Sequence, residues 1–283
     1  TNTLQIRGLI LSVIALGVIG ALVGGATVAF YGDVERSTGN TFTAGGVELR
    51  VDSVSHYNNM ICTEVDNDVY QWQAEEGFSP AANHYPAVGS ECDGTWTETD
   101  LEEGVHKFFN FLDLKPGDFG EDTISLHVYD NPAWGQFLIG GVIDQDVSCT
   151  DPEQEAEEGA CADDADGEID DYLAFTAWVD HGAIPGFQCG EAGPDTAMCD
   201  TEPTEGDNVY QDTEVVFWDN VLVSDLGPFE LAPVLAAGFD AFNCEVIDGD
   251  TEYGNCHGFA EDGQMVPSVT YYFGLAWELP LLE

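Results

Sequence analysis

Eight cysteines divide the chain into strand-like and loop-like parts, and this division strongly constrains the fold. Each consecutive pair brackets a segment rich in Gly, Asp, Glu and Pro, and none forms a Cys-x-x-Cys motif. In an exported chain, an even number of widely spaced cysteines favours disulfides over zinc. Spacing leaves 105 connectivities open. We predict nearest-neighbour bonds, each closing one loop with a stabilisation of about 3 kcal/mol: Cys62–Cys92, Cys149–Cys161, Cys189–Cys199 and Cys244–Cys256.

Apolar residues alternate with polar ones in the segments between these loops, as expected for half-buried strands. The predicted strands cover residues 41–53, 107–114, 122–129, 134–142, 172–180, 208–218 and 269–279. The best helix candidate is 221–237, which Pro228 and Pro233 shorten. Short strands joined by long turn-rich loops predict an all-β sandwich. We expect a single domain over 41–283, with insertions at 56–100, 144–171, 181–207 and 240–262.

Acidic residues outnumber basic ones by 54 to 5, giving a formal net charge of −49. The acidic residues lie among aromatic ones rather than in one run, so the charge indicates a solvated folded surface and not a disordered tail. In about 1 M salt the Debye length is roughly 3 Å, which screens the self-repulsion of such a surface. The composition therefore predicts a halophilic host. It also excludes nucleic-acid binding, because no basic patch is present to contact phosphates.

The N-terminal segment has the pattern of an export signal. Arg7 precedes an uncharged run over 9–30, and small residues follow near its end. We predict that 1–29 is a signal peptide cut between Ala29 and Phe30. The alternative is a membrane anchor, since 22 uncharged residues can span a bilayer as a helix. In both cases the acidic remainder lies outside the cell.

Two stretches resemble the TasA/camelysin family, whose members are exported through a dedicated SipW-type signal peptidase. The first runs from 24 to 52 and contains Gly24-Gly25, Ala29-Phe30, Asp33 and the pattern Thr41-x-x-Ala44-Gly45-x-x-x-Leu49. The second is the segment 111–118, FLDLKPGD, with the following strand to 129 and Asn131; the strand 271–277 fits more loosely. Together they cover about a third of the chain, and the cysteine-closed insertions have no counterpart in the family.

The resemblance implies a jelly-roll-like β-sandwich that assembles outside the cell. In filament-forming members the freed N-terminal segment inserts as a strand into the next subunit. By analogy, 30–40 is the donor segment here, with Phe30, Tyr31, Val34 and Arg36 as its key residues. Donation to an open sheet edge is head-to-tail and does not close, so it grows a fibre of identical subunits. The alternative is that 30–38 is only a linker after the cut.

The sequence gives little support for catalysis. Camelysin is described as a metallopeptidase, but the six histidines form no H-E-x-x-H or other close metal pair. No G-x-S-x-G nucleophile motif is present either. His127, on an alternating strand, is interpreted as an outward-facing or hydrogen-bonded histidine. We therefore expect a protein that is not an enzyme.

Calcium is the most credible ligand, although the sequence makes no cofactor certain. Carboxylates recur at alternate positions in the 163–171 loop, and a second group lies at the base of the 181–207 insertion. Hard cations take six to eight oxygens from such loops. The first loop is not an EF-hand, because Ala162 and Leu173 occupy the first and last ligand positions. The candidate ligands are Asp164, Asp166 and Asp170 in the first group, and Asp180, Asp207 and Asn208 in the second.

The sequence thus predicts an extracellular, pilus-like or biofilm-matrix subunit whose partners are copies of itself and a signal peptidase. The competing hypothesis is a membrane-anchored or monomeric surface-binding module, in which the long loops contact a glycan, a cation or another cell.

Overall fold

A computed structural model describes residues 47–102, 105–111, 113–139, 167, 169–187, 203–242, 244 and 256–281. Strands make up most of its regular structure. They are β1 (Glu48–Tyr57), β2 (Met60–Asp66), β3 (Val69–Ala74), β4 (Trp96–Thr99), β5 (Phe119–Tyr129), β6 (Gln136–Phe137), β7 (Ala174–Val179), β8 (Val215–Leu222), β9 (Phe229–Glu230) and β10 (Val269–Glu278). The described helices are α1 (Ala232–Ala241) and two 3-10 turns, Ile169–Asp171 and Val223–Asp225. The signal segment 1–29 and the donor segment 30–40 lie outside the described residues.

Eight strands form one antiparallel sheet in the order β3-β2-β1-β5-β10-β7-β8, with β4 also pairing with β1. Three long strands form its centre: β5 pairs with β1 over ten residues and with β10 over ten more. Their length follows from sustained alternation, which in β1 buries every second residue from Val51 to Tyr57. The described part of the chain is therefore mostly antiparallel sheet with one short helix, which agrees with the predicted all-β class.

Aromatic side chains cover one face of the large sheet. A second, two-stranded sheet of β6 and β9 lies against it: the Phe137 ring centroid is 5.1 Å from that of Phe273 and 5.9 Å from that of Phe217. Two residues before Phe273 in β10, the ring of Tyr271 packs on that of Phe187, with centroids 4.7 Å apart. Because these contacts bury one face between two layers, the architecture is sandwich-like.

The FLDLKPGD segment forms a loop and turn that holds three parts of the chain together. Asp118 accepts hydrogen bonds from the Tyr57 hydroxyl (2.6 Å), the Asn58 amide (2.9 Å) and the Lys115 backbone N–H (2.8 Å). The backbone N–H of Leu279, just after β10, donates to the Asp118 carbonyl oxygen. This turn thus fixes the ends of β1, β5 and β10 relative to one another.

Several predicted elements differ from the structure. Residues 56–100 are not a loop insertion with little regular structure, because they contain β2, β3 and β4. The 107–114 segment is not a strand: its aromatic residues cover the sheet instead of pairing with it, and the Phe111 ring lies 4.7 Å from that of Tyr57 and 4.9 Å from that of Trp277. The strand predicted over 208–218 begins only at Val215, since Asn208 has a positive φ of 61° and 211–214 forms a turn.

The helix also lies later than the sequence suggested. Leu222 still belongs to β8, and α1 begins at Ala232 with Pro233 in its first turn. Proline is favoured there because the first backbone N–H groups of a helix have no partner within it. Pro233 therefore starts the helix rather than shortening it. The insertions at 144–171, 181–207 and 240–262 are only partly described. No described helix combines the length and apolar character needed to cross a bilayer.

Candidate functional site

Two of the four predicted disulfides fall on described residues, and both form. Cys62 is bonded to Cys92, with Cα atoms 5.9 Å apart, and Cys244 is bonded to Cys256 at 5.5 Å. The pairings predicted for Cys149–Cys161 and Cys189–Cys199 lie outside the described residues, as do the cleavage site at Ala29 and Phe30 and the donor residues Tyr31, Val34 and Arg36.

The Cys62–Cys92 bond holds a segment against the outer edge of β3. The Trp72 N–H donates to the Ser90 carbonyl oxygen at 2.9 Å, and the Cys92 N–H donates to the Tyr70 carbonyl oxygen at 3.3 Å. The Gly89 N–H also donates to Trp72. Because these bonds occupy backbone groups that an edge strand would otherwise expose, this end of the sheet is covered.

The opposite end of the sheet is the edge strand β8. It pairs with β7 through Val215, Val216 and Trp218 near its start, and through Val221 and Leu222 near its end. Within the described part of the chain, no backbone–backbone hydrogen bond joins β8 to any strand except β7. Asn220 has a positive φ of 53°, and the register with β7 also shifts between Val216 and Trp218, so the edge is irregular in both halves. Its apolar half is 215–218. An edge strand with one described partner is the element that β-augmentation extends.

The second calcium candidate is a loop anchor. Asp180 is fully buried, and its carboxylate accepts the backbone N–H groups of Gly206 (3.1 Å) and Asn208 (2.9 Å). The Asp207 side chain instead accepts the Val209 N–H and the Gln211 amide. The structure thus brings Asp180 next to the 206–208 segment, and backbone donors use its carboxylate. Calcium binding by Asp180, Asp207 and Asn208 stays a prediction.

The first calcium candidate is described only at Asp170, in the 3-10 turn Ile169–Asp171. Asp164 and Asp166 lie outside the described residues. Over the part of the chain that the structure does describe, no three His, Cys, Asp or Glu side chains are arranged to hold a metal ion.

A second buried carboxylate, Glu214, lies next to Asp180. Its two oxygens accept the N–H groups of Gly182 (2.9 Å) and Gln211 (2.8 Å). Burial raises the pKa of Glu214 to about 8. The two backbone hydrogen bonds act in the opposite direction, whereas the neighbouring Asp180 raises the pKa further. Burial also raises the pKa of Asp180 to about 6. The adjacent His181 is fully buried, which lowers its pKa and favours the neutral ring. At neutral pH this pair of carboxyls therefore shares a proton, which reduces the repulsion between them.

A groove of about 590 Å³ crosses one end of the sheet on the face that carries His56 and Glu121. Its small lining residues are Gly120, Ala174, Thr176 and Ala276, and its polar ones include His56, Glu75, Glu121, Asn220 and Glu278. Gly120 is required there, because a Cβ atom would lie 2.4 Å from the His56 carbonyl oxygen. The groove lining thus combines small side chains with several acidic ones.

The electrostatics of the groove centre on Glu121. His56 Nδ1 lies 2.9 Å from Glu75 Oε1 and 3.7 Å from Glu121 Oε1. Burial, followed by the charges of Glu75, Asp180 and Asp207, raises the pKa of Glu121 to about 7. A ligand carrying a positive charge or several hydroxyl groups would suit this arrangement, because acidic oxygens accept hydrogen bonds from both.

Sequence reasoning did not select the groove residues or Glu214. Alternation along β5 places Glu121 on the same face as His127, but the approach of Glu75 depends on the β2–β3 hairpin, which was interpreted as a loop. His127 itself is hydrogen-bonded, as predicted: its ring nitrogens lie 2.5 Å from Asp52 Oδ2 and 3.1 Å from Thr270 Oγ1.

Comparisons with known proteins place no constraint on these sites. No family model, no curated protein and no solved structure was found to match this chain.

Proposed function

We propose that the chain is an exported structural subunit that assembles into an extracellular filament by strand donation. The observation that carries this proposal is the asymmetry of the sheet: the β3 edge is covered by the Cys62–Cys92 segment, whereas β8 pairs with β7 alone among the described strands. A sheet with one protected and one available edge grows in one direction.

The available edge and the donor segment both carry apolar side chains. The 215–218 half of β8 is Val-Val-Phe-Trp, and the donor segment contains Phe30, Tyr31 and Val34. Arg36 follows these apolar residues and brings one of the five positive charges in the chain to a subunit of net charge −49. In this proposal main-chain hydrogen bonds supply affinity, while the alternate side chains supply register.

Export and location belong to the same proposal. The signal-like segment 1–29 supports export, and two disulfides are consistent with an oxidising, extracellular environment. We assign the sandwich-like fold to the jelly-roll type, with the β6–β9 sheet in its second layer. The partners would be a SipW-type signal peptidase and further copies of the chain, and the role would not be catalytic.

Assembly of the mature chain from Phe30 tests the proposal. In about 1 M NaCl, where repulsion is screened, we expect fibres by negative-stain microscopy and a concentration-dependent rise in sedimentation coefficient. Deletion of 30–38 should give monomers with an unchanged unfolding temperature. A synthetic peptide of residues 30–40 in excess should cap growth, whereas a scrambled peptide should not. Fibres that persist after the deletion would refute strand donation.

Hydrogen exchange locates the acceptor. On assembly, the backbone amides of 215–218 should become protected, and those of β3 should not change. Protection of β3 with unchanged β8 would refute the assignment of the edge.

A monomeric or membrane-anchored surface-binding module remains the second candidate, and the groove beside Glu121 favours it. This function requires a concentration-independent monomer and a ligand that competes at the groove. Binding of a cationic or polyhydroxylated probe to wild type, lost in Glu75→Gln together with Glu121→Gln, would support the module.

A further inference from the structure

A buried carboxylate without a charged partner among the described residues lies on the covered sheet face. Asp122 is 0% exposed, and the Ser55 hydroxyl interacts with its carboxylate, although neither carboxylate oxygen makes a hydrogen bond of regular geometry. It lies on β5 directly opposite Ser55 of β1 and Leu275 of β10. Directly paired residues of antiparallel strands project to the same face, so Asp122 shares its face with these side chains.

Two buried serines of β1 share the face of this carboxylate: Ser55 is paired with Asp122, and Ser53 is paired with the next inward residue of β5, Ile124. Ser53 and Ser55 alternate with outward residues along β1, and both are 0% exposed with hydroxyls that make no hydrogen bond of regular geometry. The Ser55 hydroxyl is nevertheless close enough to Asp122 to oppose the effect of burial on the carboxyl pKa, which is raised well above its ordinary value. Buried polar atoms without partners are rare in folded proteins, and each costs stability unless a water or an ion satisfies it.

No described basic side chain pairs with Asp122. Arg50 pairs with Glu48 and Glu98, Lys115 pairs with Asp113, and Lys107 is exposed. An ionised Asp122 therefore requires a counter-charge from outside the protein.

We propose that Asp122, Ser53 and Ser55 bind a dehydrated monovalent cation inside the sheet. Oxygen donors select hard cations. One carboxylate balances one positive charge, so a monovalent ion leaves the buried site neutral, while a divalent ion would leave it charged. The site stabilises the subunit independently of filament assembly.

Thermal unfolding of the full chain tests the site with sodium and potassium as probes. At matched ionic strength, the unfolding temperature of wild type should rise along a saturating curve as NaCl or KCl replaces tetramethylammonium chloride, because the ion binds only the folded state. Asp122→Asn, which keeps the shape and removes the charge, should abolish this cation-specific rise. Ser55→Ala should shift its midpoint to roughly tenfold higher concentration.

Asp219→Asn is the matched control, because it removes an exposed strand carboxylate and leaves the buried site intact. It should keep the wild-type curve. A cation-specific rise that survives in Asp122→Asn would refute the site and assign the effect to surface carboxylates. A wild type with no cation specificity would also refute it, and would indicate a protonated Asp122.

Crystals of wild type soaked in thallium(I) give a second readout that does not depend on a folded variant. An anomalous peak in contact with the Asp122 carboxylate would support the site, and its absence at saturating thallium would overturn it.

Discussion

The phenolic hydroxyl of Tyr57 donates a 2.6 Å hydrogen bond to Asp118 Oδ2 and so joins the end of β1 to the turn before β5. Further interactions keep Tyr57 as the donor and Asp118 as the acceptor. Burial, reinforced by Asp118, raises the pKa of Tyr57 well above its usual range, so the hydroxyl keeps its proton. The carboxylate accepts two further hydrogen bonds, from Asn58 and from the Lys115 backbone. The KPGD turn is therefore a structural junction.

Asp118→Ala should lower the free energy of unfolding by about 3 kcal/mol, because it removes a charged acceptor that serves three donors. Tyr57→Phe removes only one of these bonds and should cost about 1 kcal/mol. Urea unfolding in molar NaCl measures both. Asp113→Ala, which removes an exposed partner of Lys115, should leave stability unchanged. Equal losses in Asp118→Ala and Asp113→Ala would contradict the junction.

Gly120 has a different structural role, because two chain segments approach it closely. A Cβ there would lie 2.4 Å from the His56 carbonyl oxygen and 2.7 Å from the Trp277 ring. The carbonyl belongs to a paired strand and cannot move away, so Gly120→Ala should destabilise by at least about 2 kcal/mol. Gly227→Ala is the matched control, since a Cβ at Gly227 has no heavy atom within 4 Å. It should change stability by less than about 0.5 kcal/mol. Similar thermal shifts in the two variants would contradict the close packing at Gly120.

Some parts of this structure could be predicted from the sequence, and others could not. Sustained alternation in 122–129 and 269–279 predicted the central strands, and cysteine spacing predicted two bonds that form. The covered β3 edge could not be predicted, because the hydrogen bonds from Trp72 and Cys92 depend on the β2–β3 hairpin. The many turn residues of that region led to its interpretation as a loop. Asp122 was missed for a different reason. It stands in phase with Ile124 and Leu126, so alternation alone places it on the inward face, but an acidic residue was not expected to be buried there.

The Asp180–Glu214 pair predicts a pH dependence of stability. The pKa of Glu214 is raised to about 8 from an ordinary 4.5, so between these values the folded state holds a proton that the unfolded state has lost. Stability must then fall as pH rises through this window. Glu214→Gln should remove that part of the fall in stability with pH. Its altered hydrogen bonds should change the free energy of unfolding by the same amount at every pH.

The measurement is the free energy of unfolding from pH 5 to 8 at fixed molar NaCl. The difference between wild type and Glu214→Gln reports on the Asp180–Glu214 pair, because His181, whose lowered pKa gives the opposite slope below about 6.5, is common to both. Glu261→Gln, at an exposed position, should retain the wild-type slope. Parallel wild-type and Glu214→Gln curves would show that the pair is not protonated in the folded state.

The Cys62–Cys92 bond should control both stability and the direction of assembly. It closes a loop of 30 residues, so the double variant Cys62→Ala/Cys92→Ala should lose about 3–4 kcal/mol if unfolded-chain entropy dominates. Its more specific effect concerns β3. Without the bond, residues 89–92 are no longer held against Tyr70 and Trp72, and the backbone of β3 becomes available to other strands.

We therefore expect faster hydrogen exchange at Trp72 and Cys92 in this variant, together with branched or laterally associated aggregates in place of single fibres. Cys244→Ala/Cys256→Ala is the matched control, because it removes a bond across only 12 residues that joins the chain after α1 to the segment before β10 and involves no residue of β2 or β3. It should lower the unfolding temperature while β3 exchange and fibre shape stay as in wild type. If both double variants give the same aggregates, general destabilisation explains them, and the covered β3 edge does not direct assembly.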